Sequence, residues 1–131
     1  MNNLATRALT TAALVTGTLI TFAAPASASH GGGGAVQDRG SCHGGGTFKL
    51  QAKHDDGRIE VEYEVDSNRA GQVWHVRLTD NGNPVFTGRA RTMAPSGSFE
   101  IHKHTRNRAG SDRIHAHATL GTRSCGGHVT V

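Results

Sequence analysis

Ile59-Glu60-Val61-Glu62-Tyr63-Glu64-Val65-Asp66 is the stretch that decides the fold. Apolar and acidic side chains alternate at every step. Successive side chains of a strand point to opposite faces, so this pattern predicts a strand with one buried face and one wet face. A helix would need apolar residues recurring at three and four, and that spacing is absent here.

The same period of two extends in both directions. Upstream, Phe48, Leu50 and Ala52 alternate with Lys49, Gln51 and Lys53, and Asp55-Asp56-Gly57 supplies the turn between the two strands. Downstream, Trp74, Val76 and Leu78 alternate with His75 and Arg77. Asn81-Gly82 marks a tight hairpin, because both residues tolerate a positive φ. Residues 84–91 then form the returning edge strand. Phe99 and Ile101 follow the Pro95-Ser96-Gly97 turn, with Glu100, His102 and His104 on the opposite face. Ile114, Ala116, Ala118 and Leu120 alternate with His115, His117 and Thr119. Val129 and Val131 close the chain with His128 and Thr130 opposite. About seven short antiparallel strands at regular spacing predict an all-β sandwich of immunoglobulin-like or fibronectin-III-like form, with a small Greek-key barrel as the alternative.

Residues 1–28 have the form of a secretory signal. Arg7 supplies a positive charge, residues 8–24 are apolar but interrupted by threonines, and Ala26-Ser27-Ala28 offers small side chains for a signal peptidase. A membrane anchor is disfavoured, since it needs about 20 apolar residues with few polar ones. The protein is therefore expected to be secreted and extracellular. Residues 29–41 are expected to form a Gly-rich flexible lead around Gly31–Gly34, and residues 42–131 the sandwich domain. Cys42 and Cys125 are the only cysteines. In an oxidising compartment such a pair is expected to form a disulfide.

Several blocks together carry a resemblance. They are residues 59–68 (IEVEYEVDSN), Gly71-Gln72-Val73-Trp74, Asn81-Gly82, Ser96-Gly97-Ser98-Phe99, Gly110-Ser111-Asp112 and Ala116-His117-Ala118. Over roughly residues 42–131 the chain resembles a group of small secreted single-domain β-sandwich proteins of high-GC Gram-positive bacteria, a group with no assigned activity. The resemblance implies export and a sandwich fold. It transfers no functional residues.

Charge and histidine content frame the functional question. The formal net charge is +4, and Arg7 leaves with the signal, so the basic excess is mild and does not argue for nucleic acid. All nine histidines lie beyond residue 28, and full protonation would add nine positive charges. Because imidazole titrates near pH ~6.5, binding to an anionic extracellular or cell-wall polymer should strengthen in mildly acidic medium.

Strand phase puts His75, Arg77, His115, His117 and His128 on one outer face, if the third, sixth and seventh predicted strands share a sheet. His115-x-His117 with one more imidazole would then be a Zn²⁺ or Cu²⁺ ligand set. Against this stand the Arg77 charge and the lack of a supporting carboxylate, so His75, His115, His117 and His128 are candidates and no metal site is assigned. A second cluster depends on pairing. If the fifth predicted strand pairs with the second, His102 and His104 face Glu60, Glu62 and Glu64. If it pairs with the sixth, Glu100 faces His117 and His102 faces His115. Cleavage after Ser29 would instead leave His30 as a terminal copper chelator, although Ala28 is the better cleavage residue.

The sequence contains no GxSxG, HExxH, P-loop or dinucleotide fingerprint. No catalytic residue or cofactor is expected. Phe48, Tyr63, Trp74 and Phe99 all fall in the core phase, which disfavours sugar stacking. The reading is a non-enzymatic secreted binding or accessory module, with a histidine-rich transition-metal-binding protein as the alternative.

Overall fold

The computed structural model describes residues 33–131. The expected signal segment and His30 lie outside the described residues. Eight strands follow one another: β1 (Val36–Ser41), β2 (Thr47–Asp55), β3 (Arg58–Asp66), β4 (Val73–Asp80), β5 (Asn83–Arg91), β6 (Ser98–Arg106), β7 (Arg113–Leu120) and β8 (Arg123–Thr130). They build two four-stranded antiparallel sheets of order β1-β2-β3-β6 and β5-β4-β7-β8. The sheets stay separate, so the arrangement is a sandwich and not a closed barrel. Strands β2 to β8 alone have the fibronectin-III-like order β2-β3-β6 against β5-β4-β7-β8, and β1 is added at the β2 edge.

That added strand differs from the expectation of a flexible lead over residues 29–41. Residues 36–41, Val-Gln-Asp-Arg-Gly-Ser, show too little apolar alternation to signal a strand. Backbone pairing with β2 nevertheless runs from Val36↔Ala52 to Ser41↔Thr47.

The period of two does what it predicts. Leu50, Ala52, Ile59, Val61, Tyr63, Val65, Trp74, Leu78, Ile114, Ala116 and Ala118 have no exposed surface and fill the space between the sheets. The Tyr63 hydroxyl donates to the Cys125 carbonyl oxygen at 2.9 Å, which ties β3 to β8 across the core. Cys42 and Cys125 form the expected disulfide over a sequence separation of 83, linking the β1–β2 turn to β8. In the chain-entropy account, closing such a loop stabilises the fold by about 4 kcal/mol.

Both open flanks of the sandwich carry a charge from an edge strand, a device that blunts edge pairing. On one flank the Asp38 carboxylate of β1 accepts from the His128 backbone N–H at 3.0 Å. A Cβ at Gly127 would stand 2.1 Å from that carboxylate and 2.8 Å from the Phe48 ring, so the close approach requires glycine there. On the other flank Lys103 of β6 places its ammonium 5.2 Å from the centre of the Phe86 ring on β5. Among the described residues Met93 is the exposed large hydrophobic side chain, at 61 %. No helix among them is long and apolar enough to cross a membrane.

Candidate functional site: two outer faces

The outer face of β5-β4-β7-β8 collects the first set of predicted histidines. Its rows follow from the register. His75 of β4 stands between Arg89 of β5 and Thr119 of β7, and Arg77 between Thr87 and His117. His115 stands between Thr79 and His128. Arg91 and Arg113 extend the same face at opposite ends, across from Val73 and Thr130. The acidic residue of these four strands is Asp80, which is fully buried. A shallow groove of about 330 Å³ runs over this face between His75, Arg77, Arg89 and His117, with the Thr87 and Thr119 side chains in its wall.

Burial and like-charge crowding act together on one of these histidines. His115 has its pKa lowered below the ordinary histidine value, first by partial burial and then by the neighbouring His117, His128 and Arg113. Protonated imidazoles repel one another here, and no acid on the face offsets them. The exposed charge of this face is therefore of one sign. His75, His115, His117 and His128 are brought to one face as expected, but their donor atoms form no metal-sized cluster of three among the described residues.

The opposite outer face, on β1-β2-β3-β6, is built differently. The second of the two pairings considered for residues 98–106 does not occur: β6 pairs with β3 and not with β7. Asp55, Glu60, Glu62, Glu64, Asp66 and Glu100 therefore share this side with Arg39, Lys49, Lys53, Arg58 and Arg106. Acidic and basic side chains are mixed across the rows of this face. Lys53, Glu60 and His104 are in one row, and Gln51, Glu62 and His102 in the next.

Within this face one constellation is tightly drawn. Glu60 Oε1 lies 3.0 Å from His102 Nε2, and Glu60 Oε2 lies 3.2 Å from Lys53 Nζ. His104 Nε2 lies 3.1 Å from Asp55 Oδ2. The two imidazole rings meet edge to face, with centroids 5.3 Å apart. The His102 hydrogen bond holds the Glu60 carboxyl below the usual carboxylate range; partial burial opposes this and Lys53 reinforces it. One donor atom each from Glu60, His102 and His104 lies within 4.8 Å of the others, the group of metal-ligating type found among the described residues.

A third polar cluster closes one end of the sandwich, and none of its residues is among the predicted site candidates. Asp80 and Asp112 are both fully buried. Asp80 Oδ2 accepts from Thr105 Oγ1 at 3.0 Å and from Arg108 Nη1. Asp112 Oδ2 accepts from the Arg108 backbone N–H at 3.0 Å, and its Oδ1 from Asn81 Nδ2 at 3.1 Å. Burial first, and the Asp112 charge after it, raise the Asp80 pKa. The cluster fastens the β4–β5 turn to the β6–β7 connection. A larger shallow hollow of about 500 Å³ beside β1 is lined by charges of both signs, among them Arg39, Lys49, Glu64 and Asp66, and so favours no ligand charge.

The chain matches no protein-family model, no curated protein and no solved structure.

Proposed function

We propose that this protein is a secreted, non-enzymatic β-sandwich module that binds anionic extracellular polymer through the outer face of β5-β4-β7-β8. The observation that carries the reading is the one-sided charge of that face. Arg77, Arg89, Arg91 and Arg113 share it with four histidines, while the one acid of these strands is buried. Guanidinium groups bind phosphate and carboxylate oxygens in bidentate fashion, and they do so at any physiological pH. Threonine hydroxyls and the groove between the strands add neutral donors beside them.

Export is supported by the signal-like residues 1–28 and by the Cys42–Cys125 disulfide, which belongs to an oxidising compartment. The histidines make the interaction sensitive to pH. Acidification from pH ~7.5 to ~5.5 adds positive charge to a face that already attracts anions. A bound polyanion also offsets the positive neighbours that, after burial, lower the His115 pKa, so binding and proton uptake reinforce each other.

The test uses long-chain polyphosphate, with neutral dextran as control, and follows the dissociation constant against pH and salt. Affinity should rise several-fold on acidification over that range and fall as ionic strength increases. An Arg77→Glu, Arg89→Glu variant should bind at least about tenfold more weakly while keeping its unfolding midpoint. Binding that ignores pH and salt, or that survives the charge reversal, would defeat the reading.

A further inference from the structure

The opposite face carries a feature that polyanion binding does not use. Glu60, His102 and His104 combine two imidazoles and a carboxylate, the donor types that suit Zn²⁺ and its first-row neighbours. We propose that Glu60, His102 and His104, with Asp55 as a fourth donor, form a binding site for a divalent transition metal, with Zn²⁺ as the reference ion.

Position comes from the strongest geometry in the fold. His102 and His104 are two apart on β6, so the ladder points both rings to one side. Register with the neighbouring strand sets Glu60 directly opposite His104 and one step from His102. Metal–ligand bonds of about 2.0–2.2 Å place tetrahedral donors roughly 3.3–3.5 Å apart. The observed separations are already close to that: 3.0 Å from Glu60 Oε1 to His102 Nε2, and 3.1 Å from His104 Nε2 to Asp55 Oδ2. One donor atom each from Glu60, His102 and His104 already lies within 4.8 Å of the others, and Asp55 reaches this group through its contact with His104.

Glu60 is also supported from behind. Its Oε2 is held by Lys53, and the side chain is only 14 % exposed, so Oε1 remains aimed at the histidines. Outer contacts of this kind orient a ligating group and make it ready to bind. His102, at 48 % side-chain exposure, leaves the site open to solvent for an ion to enter. Two ionised carboxylates facing a dication give the charge balance that the other face lacks. The imidazole pair selects against Ca²⁺ and Mg²⁺, which require oxygen donors. The absence of a thiolate from the set selects against Cu(I).

Plain ion pairing of these four side chains is the competing explanation, and metal titration separates the two. Zn²⁺ binding to the full secreted chain should be measured at neutral pH by calorimetry, with metal content determined after purification without chelators. The expected result is one ion per chain. The His102→Ala, His104→Ala variant should lose more than about a hundredfold in affinity, since outer-shell partners alone are worth roughly 10–100-fold. The His115→Ala, His117→Ala variant should bind Zn²⁺ as the parent does. Thermal unfolding without metal checks that both variants are folded, and only the parent and the second variant should gain midpoint on adding Zn²⁺. An unchanged affinity in the His102→Ala, His104→Ala variant overturns the proposal, as does loss of binding in the His115→Ala, His117→Ala variant. Polyphosphate binding should be the same in parent and His102→Ala, His104→Ala variant, so failure of this site would leave the other face's reading standing.

Discussion

The two outer faces of this sandwich are made from the same material and give their histidines opposite surroundings. Each is a four-stranded antiparallel surface with histidines two apart on a strand, His115 and His117 on one, His102 and His104 on the other. Across from His115 and His117 the register sets His128 and Arg77. Across from His104 and His102 it sets Glu60 and Glu62. The first pair stands among positive neighbours, with no carboxylate opposite. An imidazole beside carboxylates joins a donor set that suits a cation. Histidine content by itself therefore says little; the partner strand decides what each ring is for.

Both faces rest on one core, and that supplies the sharpest way to break the comparison. Trp74 is fully buried between the sheets, with the Arg123 guanidinium 5.0 Å from its ring centre. Trp74→Ala should cost about 3–5 kcal/mol in chemical denaturation. Polyphosphate and Zn²⁺ binding should then vanish at the same denaturant concentration, as expected of a single cooperative unit. If one face kept its ligand after the other had lost it, the two sheets would have to be treated as separable.

A smaller effect is expected at the end of the sandwich where Arg108 serves the buried Asp80 and Asp112. Arg108→Ala leaves the buried Asp80 carboxyl without its cation, while Asp112 keeps the backbone N–H of residue 108. Removing one partner of a fully buried pair costs about 3–5 kcal/mol. Here the Arg108 side chain is 37 % exposed, so about 2–3 kcal/mol is expected from denaturant midpoints. Because Asp80 ends β4 and Thr105 lies on β6, the loss should loosen the register between the faces without touching either binding surface.

The smallest effect sharpens the basic face alone. The His115 pKa is lowered in the folded protein by burial, by His117 and Arg113 on its own strand, and by His128 on β8. Arg77 of β4 is on the same face. The unfolded chain thus takes up a proton at higher pH than the native one. Stability should fall as pH drops below the ordinary histidine value of ~6.5 and level off below the native value. His115→Ala should change stability by less than about 0.5 kcal/mol at neutral pH and flatten that acid slope. Unfolding midpoints collected at several pH values would show it. An unaltered slope would mean that the like-charge crowding of this face is relieved by solvent.

Alternation by itself determined most of the architecture. The strands around Tyr63, Trp74, Phe99 and Ala116, the burial of Tyr63 and Trp74, and the outward phase of His75, His102, His104, His115, His117 and His128 all follow from the period of two, because side-chain direction along a strand is a local property. The Cys42–Cys125 link followed from there being two cysteines in a chain expected to be exported. The strand at Val36–Ser41 was not legible, since its pairing with β2 depends on backbone hydrogen bonds and hardly on side-chain pattern. Asp80 and Asp112 gave no sign of burial either, for their side-chain partners are 25 to 31 residues distant in the chain. Above all, local sequence left two partners open for the strand carrying His102 and His104. Only the tertiary structure set β6 beside β3. Strand neighbours are chosen by how two sheets close over a shared core, and that choice put imidazoles beside carboxylates on one face while leaving the other face to cations.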